Sequence, residues 1–213
     1  MIARKRFGCQ ADATIESVDT TAGYVLVGGR SSRFGSDKAL ASWQRKPLAL
    51  WVAEQVRAAA GPVTLVGDPE KYGGLGLPVI ADPVEGFGPL AGLAAALEHS
   101  AAEWNLVVAC DLPHLTPEFL RFLLRAAEVA GTDVLLPLDR EGRAEPLCAV
   151  YAGRCRAAIG DAVRHGVHKM TDAFAFLRVH PMPFSEYAMY DPDGLLFANL
   201  NTPADLAGAR LPG

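Results

Sequence analysis

The stretch Leu26-Val27-Gly28-Gly29-Arg30-Ser31-Ser32-Arg33-Phe34-Gly35-Ser36-Asp37-Lys38 decides how the rest of the chain is read. It continues a short β-rich run, Gly23–Val27, so a first strand ends in a glycine-bearing loop with three cations, Arg30, Arg33 and Lys38. Glycine tolerates unusual backbone angles and lets N–H groups approach a phosphate closely. An arginine fork grips two phosphate oxygens, and a lysine adds a compact charge. The loop therefore reads as a phosphate cradle rather than a solvated basic turn. Spacing excludes two familiar cradles. A Walker loop needs G-x-x-x-x-G-K-S/T, but five residues separate Gly29 from Gly35 and Ser36-Asp37 follows; the dinucleotide fingerprint G-x-G-x-x-G is absent too.

Downstream of the loop, strand and helix signals alternate. A helix is expected from Pro47, with Leu48, Val52 and Val56 every four residues and Gly61-Pro62 ending it. Strands are expected at Val63–Val66 and Leu77–Ala81, then a helix from Pro89 to about Ser100. Asn105–Cys110 is a continuous apolar run, the mark of a strand buried on both faces. Thr116 is placed to cap a helix with Pro117 in its first turn, running to about Ala130. Strands near Val134–Leu138 and Leu147–Tyr151, a helix from Arg154 to His165, and strands at Leu177–Val179 and Leu196–Leu200 follow. A last helix is expected at Asn201-Thr202-Pro203, where Thr202 and Asp205 have capping-box spacing. This order predicts one α/β domain, a mostly parallel sheet with helices on both faces.

Residues 1–21 are expected to be a flexible N-terminal extension, with the domain over 22–213. Met1–Phe7 is basic but leads into Gly8, Cys9, Gln10 and Asp12, without the apolar middle of a secretory signal. No apolar run approaches the roughly 18 residues that span a bilayer. The net charge of -4 argues against a nucleic-acid binder. A cytoplasmic protein with no membrane or nucleic-acid partner is expected. The four cysteines, Cys9, Cys110, Cys148 and Cys155, form no C-x-x-C pair, so reduced thiols are the simplest account.

In an open α/β sheet, ligands collect beyond the carboxyl ends of the strands. Besides the loop, two aspartates fall at such ends. Asp82-Pro83 follows the Leu77–Ala81 strand, where a carboxylate can meet a ribose or base, orient a lysine, or merely shape a turn. Asp111-Leu112-Pro113 ends the most hydrophobic strand, a suitable place to hold Mg²⁺, which favours one or two carboxylates plus phosphate oxygens and water. The three features together suit transfer of a nucleotidyl group to a phosphate acceptor. A phosphate monoester is already an anionic nucleophile, so catalysis reduces to positioning and charge neutralisation by Arg33, Lys38 and Mg²⁺ on Asp111. Gly86-Phe87-Gly88-Pro89-Leu90-Ala91-Gly92 suits either packing or close approach to a nucleotide. His165 and His168 lack a third ligand, and Asp191-Pro192-Asp193-Gly194 reads as a turn.

These residues resemble the molybdenum cofactor guanylyltransferases, within the nucleotidyltransferases of Rossmann-like three-layer sandwich fold. That family has an L-A-G-G-x-x-x-R-M-G loop ending in D-K, which is similar to Leu26 through Lys38 here. Asp82, Gly88-Pro89-Leu90-Ala91-Gly92, Cys110-Asp111-Leu112-Pro113 and Asn199-Leu200-Asn201-Thr202-Pro203 match further, in the family's order, from about Tyr24 to Ala207. The resemblance implies transfer of GMP from GTP to the terminal phosphate of molybdopterin with Mg²⁺, releasing pyrophosphate. It implies that Leu26, Val27, Gly28, Gly29 and Lys38 bind the nucleotide, with Asp82 on its base or ribose side. Asp111 would bind nucleotide and metal; Asn199, Asn201 and Lys169 would lie toward the pterin. Transient contact with molybdoenzymes or cofactor-handling proteins is a further expectation. Val27 and Phe34 depart from the family's alanine and methionine, and Val66-Gly67-Asp68 stands where the family often has an asparagine. Relatives that transfer CMP tend to carry L-A-A-G and D-Q-P, so Gly28-Gly29 and Asp111-Leu112-Pro113 favour the guanylyl reading. Another nucleotidyltransferase of this fold and a non-catalytic nucleotide-binding module are the alternatives.

Overall fold

The computed structural model describes residues 20–28, 37–82 and 87–200. The chain opens with β1 (Thr21–Leu26), then a small hairpin of β2 (Ser42–Trp43) and β3 (Lys46–Pro47) that leads into α1 (Leu48–Ala60). Next come β4 (Val63–Val66), the single-turn helix α2 (Pro69–Tyr72) and β5 (Val79–Ile80). Helix α3 (Pro89–His99) precedes β6 (Trp104–Ala109), and α4 (Pro117–Ala130) precedes β7 (Val134–Pro137). The remainder is β8 (Cys148–Ala152), α5 (Arg156–Arg164), β9 (Val179–Met182) and α6 (Phe184–Tyr187).

The main sheet has the order β5-β4-β1-β6-β8-β7-β9. Six strands run parallel, and β8 runs antiparallel to both its neighbours. Helices cover both faces: α1 packs with α4, and α3 with α5. Alternation along β1 explains this. Tyr24 meets His99 of α3, hydroxyl to Nδ1 at 3.1 Å, and Leu26 meets Gly92 of the same helix. A side chain at Gly92 would come within 3.2 Å of Leu26 Cδ2, so this glycine lets the start of α3 lie close to the end of β1. The central strands are largely apolar because both faces are covered; all six residues of β6 are buried, Asn105 among them, its amide donating to the Tyr151 carbonyl at 3.2 Å.

The helices begin and end on the expected chemistry. Thr116 accepts from the Phe119 N–H at 3.3 Å, and α4 stops at Gly131 with φ 57°. Its buried face, Phe119, Leu120, Leu123, Leu124 and Ala127, has helical spacing. At about 1.5–3 kcal/mol for each large side chain buried, that stripe far outweighs the cap. Pro47 differs from expectation: it lies in β3 and caps α1 rather than entering it.

Three strand expectations need correction. Leu77–Ala81 shrinks to two residues, because only Val79 and Ile80 find partners on β4. The Leu177–Val179 strand lies instead at Val179–Met182, since the Leu177 N–H closes a turn onto the Phe174 carbonyl. Leu196–Leu200 is no strand. Leu196 and Leu200 are buried, which accounts for the apolar pattern, but Ala198 N–H turns back to Leu195. The helix expected at Thr202 lies outside the described residues. Among those described, no helix is long and apolar enough to cross a membrane, and Cys110, Cys148 and Cys155 are free and buried.

Candidate active site

The parallel strands bring their carboxyl ends to one rim, and backbone bonds carry the ladder one residue past each end. Val27 N–H donates to the Val66 carbonyl at 3.0 Å, Gly67 to Ile80 at 2.9 Å and Cys110 to Leu26 at 3.1 Å. Gly28, Asp68, Asp82 and Asp111 therefore emerge side by side. The sequence order scatters these residues; parallel topology gathers them.

Asp111 is the centre of the rim. The Lys38 ammonium donates to its Oδ2 at 2.9 Å, with side-chain exposures of 13% for the lysine and 27% for the aspartate. Such a partly exposed pair stabilises the fold by about 1 kcal/mol at most. The segment behind it is anchored separately: Leu112 is buried, and Trp51 Nε1 donates to the Pro113 carbonyl at 2.8 Å. Leu200 N–H donates to the Asp111 carbonyl at 3.1 Å, which sets the exposed Asn199 beside it.

Lys38 opens a 3₁₀ turn, Lys38–Leu40, capped by Asp37 Oδ1, which accepts from Ala39 N–H at 2.9 Å. Asp37 Oδ2 accepts from the Tyr72 hydroxyl at 2.7 Å and pairs with Lys71. The same hydroxyl donates to the Val27 carbonyl at 2.8 Å. Burial would raise the Asp37 pKa, but hydrogen bonds from Lys71, Tyr72 and Ala39 overcome it and hold the carboxyl below the usual carboxylate range. Burial, and then Asp37 itself, push the Tyr72 phenol well above its ordinary value. Gly67 is boxed in here: a Cβ would stand 2.7 Å from Val27 Cγ2 and 3.0 Å from the Tyr72 ring. Gly28 is the opposite case. It is exposed, and among the described residues a Cβ there would meet nothing within 4 Å.

Across Asp111 lies the connection from β7 to β8. The β6–β8 register pairs Val108 with Cys148, and Ala109 N–H bonds the Leu147 carbonyl. Just before β8 the chain turns, with Cys148 N–H on the Glu145 carbonyl at 3.0 Å and Glu145 N–H on the Pro137 carbonyl at 2.9 Å, and this holds Glu145 at the rim, where the charge of Asp111 reaches it. Burial pushes the Glu145 carboxyl up to about 7; the charge of Asp139 and, more weakly, of Asp111 add to it, and Arg143 opposes. Glu145 has no sequence signal of its own. Its place depends on β8 starting at the rim and running antiparallel away from it, so that the β7–β8 connection stays there.

The remaining candidates separate clearly. Lys169 is exposed and pairs with Asp172 at 3.7 Å. Its neighbour His168 stacks on Phe87 at 4.2 Å, which sets Lys169 near the start of α3. His165 instead bonds the Asp161 carbonyl, so the two histidines share no ligand position. Asp68 caps α2 through Glu70 N–H at 2.9 Å. Gly88, with φ 104°, and Gly92 serve chain direction and packing. Asp191 and Gly194 form the expected turn, with Arg140 Nη2 on the Asp191 carbonyl at 2.5 Å. Cys110 abuts Asp111, but burial first and Asp111 second push its thiol to about 12, so it is no nucleophile. Gly29, Arg33 and Asn201 lie outside the described residues. Among those described, no cluster of three or more His, Cys, Asp or Glu would enclose a metal by itself. One rim carboxylate that leaves room for phosphate oxygens and water suits Mg²⁺.

Comparison with known proteins agrees with this geometry. The family model described as MobA-like NTP transferase domain matches residues 23–180. A probable molybdenum cofactor guanylyltransferase of Pelotomaculum thermopropionicum is 37% identical over 191 residues, covering 89% of this chain and 91% of that protein. The molybdenum cofactor guanylyltransferase of Desulfosudis oleivorans is 30% identical over 195 residues, covering 91% and 96%. Molybdopterin-guanine dinucleotide biosynthesis protein A of Archaeoglobus fulgidus superposes with a TM-score of 0.76 at 31% identity, over 87% of this chain and 95% of that one. The match spans the loop, both aspartate-ended strands and the antiparallel turn of the sheet, and on it the chain belongs to the MobA-like NTP transferase family.

Proposed function

We propose that the protein transfers GMP from GTP to the terminal phosphate of molybdopterin, releasing pyrophosphate. The observation that carries this reading is Lys38 held on Asp111 at the carboxyl rim, beside the open Gly28 backbone. A terminal phosphate oxygen of the acceptor attacks the α-phosphorus of GTP. The bond from that phosphorus to the bridging oxygen of the β-phosphate breaks, and pyrophosphate leaves with the electron pair. The acceptor oxygen is already anionic, so no general base is needed.

The chain's own residues position and neutralise. Lys38 turns its ammonium to the triphosphate, and the exposed Gly28 backbone lets phosphate oxygens come close. Leu26 and Val27, at the end of β1, support the nucleotide, Gly29 is assigned to it as well, and Asp82 meets its ribose or base. Asp111 would hold Mg²⁺, which when bound supplies positive charge to the phosphate oxygens. Arg33 adds charge at the same phosphates. Asn199, Asn201 and Lys169 face the acceptor. Both substrates are water-soluble anions, in keeping with a cytoplasmic enzyme, and the product passes to molybdoenzymes or cofactor-handling proteins.

Pyrophosphate release with Mg²⁺ and molybdopterin, compared for GTP, CTP and ATP, tests the proposal. Release with GTP alone is expected. Preference for CTP would keep the chemistry and change the base; no release with any nucleotide would overturn the assignment.

A further inference from the structure

Nine residues separate Val27 from Asp37, yet one hydroxyl touches both. Tyr72 Oη lies 2.8 Å from the Val27 carbonyl and 2.7 Å from Asp37 Oδ2. A hydroxyl carries one proton, so the two acceptors share it, and the charged carboxylate draws it more strongly. The tyrosine is itself fixed. Its ring is buried and packs against Gly67, where no side chain would fit. The single turn α2 that carries it is capped by Asp68. From Asp37 the connection runs on through Ala39 N–H into the 3₁₀ turn that bears Lys38, and Lys38 reaches Asp111. Lys71, one residue from Tyr72, pairs with the same Asp37 oxygen. One short helix off β4 therefore holds both ends of the glycine-rich stretch.

We propose that Tyr72 and Asp37 form a clasp that joins the end of β1 to the Lys38 turn and so positions the Lys38 ammonium for the triphosphate. The inference rests on the nucleotidyltransferase reading above and adds two positioning residues to it; neither touches substrate. The physical gain is preorganisation. Bringing the ends of a loop together costs chain entropy, and a clasp formed in the free protein removes that cost from nucleotide binding. It also keeps the turn that bears Lys38 in place, with the ammonium 2.9 Å from Asp111, where a small displacement weakens a charge placed for phosphate.

The test is the affinity for GTP with Mg²⁺, measured by calorimetry, in wild type, Tyr72→Phe, Lys38→Ala and the double variant. Phenylalanine fills the tyrosine's place and removes only the hydroxyl, so the fold is expected to persist with a small drop in thermal melting from the lost hydrogen bonds. Tyr72→Phe is expected to weaken GTP binding about fivefold to tenfold, and to have no further effect once Lys38 is alanine. Asp37→Asn, which keeps an oxygen for Ala39 N–H, should lose affinity in the same direction. Wild-type affinity in Tyr72→Phe would overturn the clasp while leaving the enzyme reading in place. So would an undiminished Tyr72→Phe effect in the Lys38→Ala background, because the hydroxyl would then not act through the lysine. A wild-type protein that binds no GTP overturns the enzyme reading, and the clasp's stated purpose with it.

Discussion

The two halves of the sheet meet at Asp111 and are built differently. On the side of β5, β4 and β1 the rim is made from backbone. Successive N–H groups extend the ladder past Leu26 and Val66, glycines stand at both of those ends, and Tyr72 ties a carbonyl to a carboxylate. On the side of β8, β7 and β9 the rim is made from side chains. Between β7 and β8 stand Asp139, Arg140, Glu141, Arg143 and Glu145. Arg143 pairs with Asp139 and Glu141 while 74% exposed, and Arg140 lies 4.7 Å over the Phe184 ring. Fixed backbone dipoles suit a triphosphate, whose anionic oxygens accept N–H hydrogen bonds at close range. Long charged side chains suit an acceptor approached from solvent. In the proposed reaction the first half binds the nucleotide and the second receives the pterin.

The largest expected effect falls on the residue both halves share. Asp111→Ala should lower transfer by about 10³-fold or more, the scale of losing a central electrostatic contact. Melting should barely change, because Leu112 and Pro113 anchor the segment without the carboxylate. Lys38→Ala belongs to the backbone half alone. Weaker GTP binding with unaltered acceptor KM is expected, and a raised acceptor KM with unchanged GTP affinity would break the division of labour.

Two glycines sharpen the comparison within the backbone half. Gly67→Ala would drive a methyl into Val27 and the Tyr72 ring, so a loss of about 1–3 kcal/mol in denaturant unfolding is expected. Gly28→Ala meets none of the described residues, so stability should stay within about 0.5 kcal/mol while GTP binding weakens. Equal destabilisation by both would mean that Gly28 serves the fold rather than the ligand.

How much of this was legible in the sequence follows the same division. β1, β4 and β6 announce themselves as apolar runs ended by Gly28, Gly67 and Asp111, and the rim follows once the strands are taken as parallel. The direction of β8 is harder. All five of its residues are buried, so its pattern fits either direction. The connection length does discriminate: β7 ends at Pro137 and β8 starts at Cys148, too short for a helical crossover. The β2–β3 hairpin escapes because Gln44 and Arg45 hold positive φ without an Asn-Gly signal. Asp68-Pro69 carries a cap-and-proline signal like Thr116-Pro117, but a four-residue helix shows no period. Asp37 and Tyr72 lie 35 residues apart, and no local pattern links them.

The smallest expected effect lies in the side-chain half and concerns Glu145. Its folded carboxyl, held at about 7, sits above the ordinary 4.5 of a glutamate, so the folded state binds the proton more tightly than the unfolded one. Stability contributed by the protonated form is complete below about pH 4.5 and is lost as pH rises toward 7. Denaturant unfolding of wild type should therefore weaken between pH 5 and pH 8 by on the order of 1–2 kcal/mol more than that of Glu145→Gln. Glutamine keeps the shape and cannot ionise, so the variant should match wild type at pH 5 and exceed it at pH 8. The charges acting on Glu145, from Asp139, Arg143 and Asp111, remain in both proteins. Identical pH profiles would mean that Glu145 ionises as freely as in water. The rim opposite Asp111 would then be solvated, and the half-buried carboxylate that distinguishes the acceptor side would lose its significance.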